Sequence, residues 1–243
     1  MRKTRVAVGL VCGALVGASA QAQIQKGLEY SITPYIWGVS LSGSTQAGAV
    51  GGEVDASFSD LLDVTELVIP VHFEAKGPVW TLLAEINYTE LGQDLEGPGG
   101  LATGELEVDM LIAELVSGYQ LSDTFEILFG ARYVDIDNTL KVQLPPGPRR
   151  RFEAGQDWID PLVGFRYGGP ISRRWSFWLR GDVGGFGLGS ELTWNLRTGF
   201  GVEVSDVTTL RFGWHTLDFD YDSNEFVYDM THQGPEIGAT FKF

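Results

Sequence analysis

The sequence predicts an all-β fold: a transmembrane antiparallel up-and-down β-barrel of about ten strands, with eight or twelve also open. Three observations carry this. Apolar residues recur with period two rather than with the helical period. One face of each alternating segment is almost purely apolar, with Trp, Phe and Tyr near the segment ends. The turns between segments alternate between short and long. Backbone groups in lipid need partners, so such a sheet has to close.

The N-terminus reads as an address. Met1-Arg-Lys-Thr-Arg5 is cationic, Val6 to about Ala18 is a short apolar run, and Ala20-Gln-Ala22 is a small-residue cleavage site. A signal peptide at 1–22 and a single barrel domain at 23–243 are therefore expected. Neither the apolar run nor any later stretch reaches the roughly 18 residues a membrane helix needs. Cys12 is the only cysteine of the 243 residues, so the expected mature chain has no thiol, disulfide or Cys-ligated metal. Val11 precedes it, where a lipoprotein signal would want a small residue. Without Arg2, Lys3 and Arg5 the chain carries 14 basic against 32 acidic residues, a formal charge of −18. That balance argues against nucleic acid as a partner.

Ten spanning strands are expected, at about 28–41, 66–76, 79–91, 105–120, 124–137, 156–168, 174–185, 190–204, 207–221 and 231–243. The clearest sets Leu192, Trp194, Leu196, Thr198, Phe200 and Val202 on one face and Thr193, Asn195, Arg197, Gly199 and Gly201 on the other. Its successor sets Leu210, Phe212 and Trp214 against Thr209, Arg211, Gly213 and His215. Trp80/Tyr88, Trp158/Tyr167 and Trp175 read as aromatic girdles at the two lipid boundaries. Short turns fall near 76–78, 121–124, 168–173 and 205–206, and long connections at about 42–65, 92–104, 138–156 and 218–231. Within 42–65, Gly52 to Phe58 alternates and Ser59 to Val64 reads as a helical turn capped by Ser59; both are taken as an excursion of the first outer loop.

The chain ends Thr240-Phe-Lys-Phe243, and a terminal Phe on an alternating strand resembles the signal read by the outer-membrane insertion machinery. The whole expected mature chain resembles a broad family of small Gram-negative outer-membrane β-barrel proteins. The resemblance rests on Thr33-Pro-Tyr-Ile-Trp-Gly38, Phe58-Ser-Asp-Leu-Leu-Asp63, Trp158-Ile-Asp-Pro-Leu-Val-Gly-Phe-Arg-Tyr167 and Gly184-Gly-Phe-Gly-Leu-Gly-Ser-Glu-Leu-Thr-Trp194. It implies a fold and an integral outer-membrane location, with outer-membrane lipids and lipopolysaccharide as surroundings. It implies no reaction.

Register sends His72, Glu74, Glu85, Glu114, Glu126, Arg132, Asp160, Arg166, Arg180, Asp182, Glu191, Arg197, Glu203, Arg211, His215, Glu236 and Lys242 to the lumen. Two mixed-sign groups are expected: Glu191, Arg197 and Arg211, and Asp160, Arg166, Arg180 and Asp182, with His215 and Glu236 nearby. A channel selective for one sign would show a ring of that sign. The lumen is then either filled by paired side chains or a narrow polar conduit for small solutes. A structural or lipopolysaccharide-interacting envelope protein is the alternative function.

An enzyme is not expected. His72 and His215 fall within the wall and His232 near the outer rim, and no serine sits in a nucleophile motif. Asp218, Asp220, Asp222, Asp229 and His232 supply the residue types of rim proteolysis without a specific spacing. The same three 218–222 carboxylates lack a calcium-loop pattern and read as a solvated acidic loop. Pro145-Pro-Gly-Pro-Arg-Arg-Arg151 reads either as a solvated loop or as a cationic contact for lipopolysaccharide phosphates. The glycines at 184, 185, 187 and 189 have no following helix and are not a phosphate loop. No cofactor and no metal site is expected.

Overall fold

The computed structural model describes residues 27–47, 50–96, 103–143, 147–223 and 226–243. The signal segment expected at 1–22 lies outside these described residues. Alternation over the rest yields twelve strands: β1 (Glu29–Trp37), β2 (Ser40–Ala47), β3 (Val50–Ala56), β4 (Thr65–Lys76), β5 (Trp80–Glu96), β6 (Thr103–Ser122), β7 (Phe125–Gln143), β8 (Arg150–Pro170), β9 (Trp175–Gly184), β10 (Leu192–Ser205), β11 (Thr208–Ser223) and β12 (Phe226–Lys242). From β4 onward each strand pairs antiparallel with the next, and β1 pairs with both β4 and β12, closing the ring.

The wall nevertheless has ten positions. β1 and β2 share one register against β12, Trp37 opposite Glu236 and Ser40 opposite Gln233, so they are one strand with a break. The break faces Pro235, which has no amide to give; its carbonyl still takes the Gly38 amide at 2.8 Å. β3 and β4 likewise share the next position. Continuing the β1–β4 register would put residue 64 opposite Leu41, yet Ala56 stands there, so residues 57–64 are looped out of the wall. They hold the helix α1 (Phe58–Val64). Its cap is Ser57 with a reciprocal Asp60 contact, two residues before the expected Ser59. An acidic N3 partner for a serine is the capping-box signature, and here it selects the earlier serine. The expected excursion at 42–65 is thus the upper part of one wall strand, a paired strand and a helix.

The two faces of the wall follow chemistry, and the chemistry changes along the barrel axis. At the end where Glu29 and Lys242 lie, called here the terminal end, outward positions are apolar. Leu210, Phe212 and Trp214 of β11 and Ile237 and Phe241 of β12 stand exposed on the outer surface, as a lipid-facing belt requires. Inward positions on the same strands hold His215 and Glu236, both buried. Farther along β11 the polarity inverts without a break in alternation. Leu217, Phe219 and Tyr221 now point in and are buried, while Asp218, Asp220 and Asp222 point out. β7 does the same, passing from outward Ile127 and Phe129 to outward Asp135 and Asp137, with Val134 and Ile136 buried between them.

The distal half is therefore a water-exposed barrel with an apolar interior, continuous with a membrane barrel of the opposite polarity. Its core joins Trp37, Trp158, Phe219, Tyr221, Tyr228 and Met230, among others, with Trp158 stacked on Tyr221 at 4.2 Å. This inversion lengthens the strands beyond expectation. Among the described residues, the long connections expected at 92–104, 138–156 and 218–231 are largely strand. It also corrects the girdle at Trp158, which is 6% exposed and points inward, its indole donating to Asp160 at 3.2 Å. Trp158 shares the parity of Asp160, and parity decides the face.

The face assignment makes a test. Leu196 is outward in the belt and Asn195 is inward and 3% exposed. We expect Leu196→Arg to cost about 2–4 kcal/mol of folding stability in bilayers, the range for a cation at mid-depth on a lipid face. Thr198→Arg, one outward position along, should behave alike. Urea titration of refolding into vesicles measures both, and wild-type stability in both variants would mean the strand is turned the other way.

Candidate functional site: the charged lumen

Inward positions in the membrane half bring charged side chains from many strands into one space. In a lumen of this width each must find a counter-charge or a hydrogen bond. Three clusters do so.

Nearest the terminal end, Arg166 grips Glu74 with both guanidinium nitrogens, at 2.6 and 3.1 Å, and donates Nε to Glu126 at 3.0 Å. Thr81 donates to the same Glu126 at 3.0 Å. At mid-depth Arg197 lies between two carboxylates, Glu85 at 2.6 Å and Glu236 at 2.6 Å. Tyr35 donates its hydroxyl to Glu85, and His72 Nδ1 lies 3.1 Å from it. The third cluster is a square of two cations and two anions: Arg132 with Glu114 at 2.7 Å and Asp182 at 2.8 Å, and Arg180 with Glu114 at 2.7 Å and Asp182 at 2.8 Å. Asn195 donates to Asp182 at 2.9 Å, and its carbonyl faces His215 Nε2 at 3.0 Å.

These placements sort the expected site residues. Arg180 and Asp182 stand together, while Arg166 joins Glu74 and Glu126. Asp160 is buried opposite Arg132 but makes none of the ion pairs; it accepts from the Ser190 amide at 2.6 Å, the Ser190 hydroxyl at 2.8 Å and Trp158. Arg197 is inward and paired with Glu236, near His215, which stacks on Trp37 at 3.9 Å between ring centres. Arg211 is inward, its guanidinium 4.4 Å over the Trp178 ring. Glu191 is a correction. It precedes the first residue of β10, in the distal connection, and is exposed, so strand parity does not govern it. Glu203 is also exposed, at the terminal rim, and Lys242 pairs there with Glu29 at 3.5 Å.

Sequence parity found the charged side chains but not their partners. Arg197 on β10 meets Glu85 on β5, 112 residues away and across the barrel. Strand tilt and closure set that contact, and no local pattern encodes either. His232 is not at a rim: it is 1% exposed, inside the aromatic core, 2.8 Å from the Tyr228 hydroxyl.

Two cavities lie among these side chains. One cavity of about 50 Å³ lies among the terminal and mid-depth clusters and one of about 10 Å³ beside Trp37, Glu114 and His215. About 10–15 Å³ is what one water needs. Glu85, Glu236 and Arg197 lie between them, and beyond the second stands the aromatic core.

Outside the membrane belt the outward acids behave according to their neighbours. Hydrogen bonds from Lys141, then Arg149, hold the Glu105 carboxyl below its usual range. Arg149, in the loop read either as solvated or as a contact for phosphates, shares the Glu105 carboxylate with Lys141; residues 144–146 of that loop lie outside the described residues. Asp220 goes the other way. Lost hydration, then the charges of Asp229 opposite it and of Glu191, Asp218 and Asp222, raise its carboxyl above the usual range.

No protein-family model matches the chain, and no curated protein sequence matches it. Among solved structures, the outer membrane protease OmpT from Escherichia coli aligns with TM-score 0.56 over 93% of this chain and 99% of that one, at 8% identity. The translocator domain of the autotransporter NalP from Neisseria meningitidis aligns with TM-score 0.45 over 96% and 93%, at 9% identity. Ail of Yersinia pestis aligns with TM-score 0.35 over 89% and 99%, at 9% identity. At such identities the OmpT likeness is one of fold: a closed antiparallel barrel of the kind found in Gram-negative outer membranes.

Two outcomes follow from these charges. Arg197→Ala should leave Glu85 and Glu236 buried without their cation and cost about 3–5 kcal/mol, the range for breaking a buried pair. The triple change Arg197→Met, Glu85→Gln and Glu236→Gln should recover most of that, because it removes the stranded charge; urea midpoints in detergent compare them. For Asp220, a raised folded-state carboxyl means its ionised form opposes folding, an effect relieved as pH falls through the carboxylate range. Asp220→Asn should therefore stabilise the protein at neutral pH, with the gain gone below about pH 4. A gain that persists unchanged in acid would show that repulsion is not its source.

Proposed function

We propose that this is an integral outer-membrane protein whose barrel is sealed rather than conducting, and which acts through the acidic wall it holds beyond the bilayer. What supports the reading is two groups of side chains packed within the lumen, the Arg197 ion pairs and the aromatic core. A solute would have to part Arg197 from Glu85 and Glu236, then pass the aromatic core around Trp158, Phe219 and Tyr228. Ion pairs of this kind are costly to open one partner at a time.

The location rests on the lipid-facing belt and the export signal expected at 1–22. In that location the terminal end faces the periplasm and the distal end the exterior. The outward acids of β5 to β8, β11 and β12 then stand just above the outer leaflet. Carboxylates and lipopolysaccharide phosphates there share hard divalent cations, which take oxygen ligands from both. This favours the structural or lipopolysaccharide-interacting reading over a solute channel. A hydrolase finds less support, since His215 and His232 are both buried and His72 lies between Glu74 and Glu85.

Conductance across planar bilayers decides between sealed and open. The refolded protein should give no unitary steps in concentrated KCl, and Arg197→Ala, if it folds, should give small unstable ones. Large, steady, ion-selective steps from the wild type would replace this reading with a porin.

A further inference from the structure

The larger lumen cavity is short of acceptors. Among the described residues, Arg132, Arg166, Arg180 and Arg197 each make ion pairs with two carboxylates within 4.0 Å, while Arg211, which lines the same cavity as three of them, makes none. Its guanidinium lies 4.4 Å over the Trp178 ring. Two residues of this lining also carry a buried donor that lacks an acceptor: the indole nitrogen of Trp178 and Nε of Arg180. Guanidinium and indole groups donate only and cannot satisfy one another. Buried donors left without acceptors are rare and point to a water or an ion.

We propose that this cavity binds a small monovalent anion of the halide class, held by Arg211 with Trp178 Nε1–H and Arg180 Nε–H. A positive charge without a counter-charge in a narrow lumen favours an anion over neutral water. The nearby carboxylates are committed elsewhere, Glu236 to Arg197 and Glu74 to Arg166. Their negative charge also limits the guest to a single charge, and a volume of about 50 Å³ limits it to an ion of few atoms with a water or two.

The site is built from the wall upward. Trp178 lies flat because the inward positions facing it on β10 and β11 are Gly199 and Gly213. A Cβ on Gly199 would come within 2.8 Å of the indole, and one on Gly213 within 2.9 Å. The bare backbone there lets the ring lie against the wall, and the ring in turn carries Arg211 by cation–π contact. The arrangement holds a cation toward the cavity without giving it a carboxylate.

The test is diffraction from crystals of the detergent-refolded protein grown in sodium bromide, with data collected at the bromine edge. A bromide peak between the Arg211 guanidinium and the Trp178 indole nitrogen is expected. Replacing Arg211 by Gln should abolish the peak while retaining heat-modifiable gel mobility. In solution, the wild-type unfolding midpoint should rise with chloride relative to gluconate at equal ionic strength, and that of Arg211→Gln should not. Water alone at the site in the bromide map, or an equal chloride response in the two proteins, would overturn the proposal. If Arg211→Gln fails to fold, the wild-type bromide map decides by itself.

Discussion

A lipid bilayer offers no partner to a backbone amide, and that constraint organises this molecule. A sheet in lipid cannot keep an edge, so β1 must return to β12. Once the wall is closed with ten positions, its interior is only wide enough to be filled by the side chains that point into it. The inward charges of the membrane half follow from this. They cannot face lipid, and in a narrow lumen they cannot remain singly hydrated, so all but Arg211 of the lumen cations pair across the space. The networks around Glu85, Glu114 and Glu126 arise from closure as much as from the residues that compose them.

The same constraint stops at the membrane boundary, and the polarity of the wall changes there. Past Trp214 the outward side of β11 meets water, and three aspartates take those positions while Leu217, Phe219 and Tyr221 turn in. Period two persists through the boundary; only the chemistry of the two faces is exchanged. The strongly acidic composition thus has a place in the fold. Much of it coats the outside of the distal wall, where like charges on neighbouring strands repel as Asp220 and Asp229 do. The apolar core behind them supplies the cohesion that holds those strands together.

This exchange marks the limit of what the sequence displays. Strand number, closure and the lipid face of β10 are legible, since long alternating segments with one apolar, aromatic-ended side are what a lipid-facing wall requires. Strand length is not. The run Asp218-Phe-Asp-Tyr-Asp222 looks like an acidic loop when apolar is taken to mean outward, and it becomes a strand once the rule reverses. Trp158 is hidden by the same reversal: an aromatic near a lipid boundary suggests a girdle, yet parity with Asp160 sends it inside. The lumen cations are legible one by one. Their partners are not, because Arg197 reaches Glu85 only through the curvature of the whole ring. Glu191 departs for a different reason: it lies just outside the strand whose parity would turn it inward.

The eight residues at 57–64 leave the wall without disturbing it. β1 keeps its register with β4 below them and β2 keeps its register with β3 above them, so neither ladder records how much chain lies between. The helix is therefore a cassette. Its length and sequence can drift, or be exchanged for an unrelated segment, while the two hydrogen-bond ladders on either side continue to specify the same barrel. In a lineage under pressure to vary what it shows at the surface, a barrel with such a joint can change its exterior without renegotiating its wall.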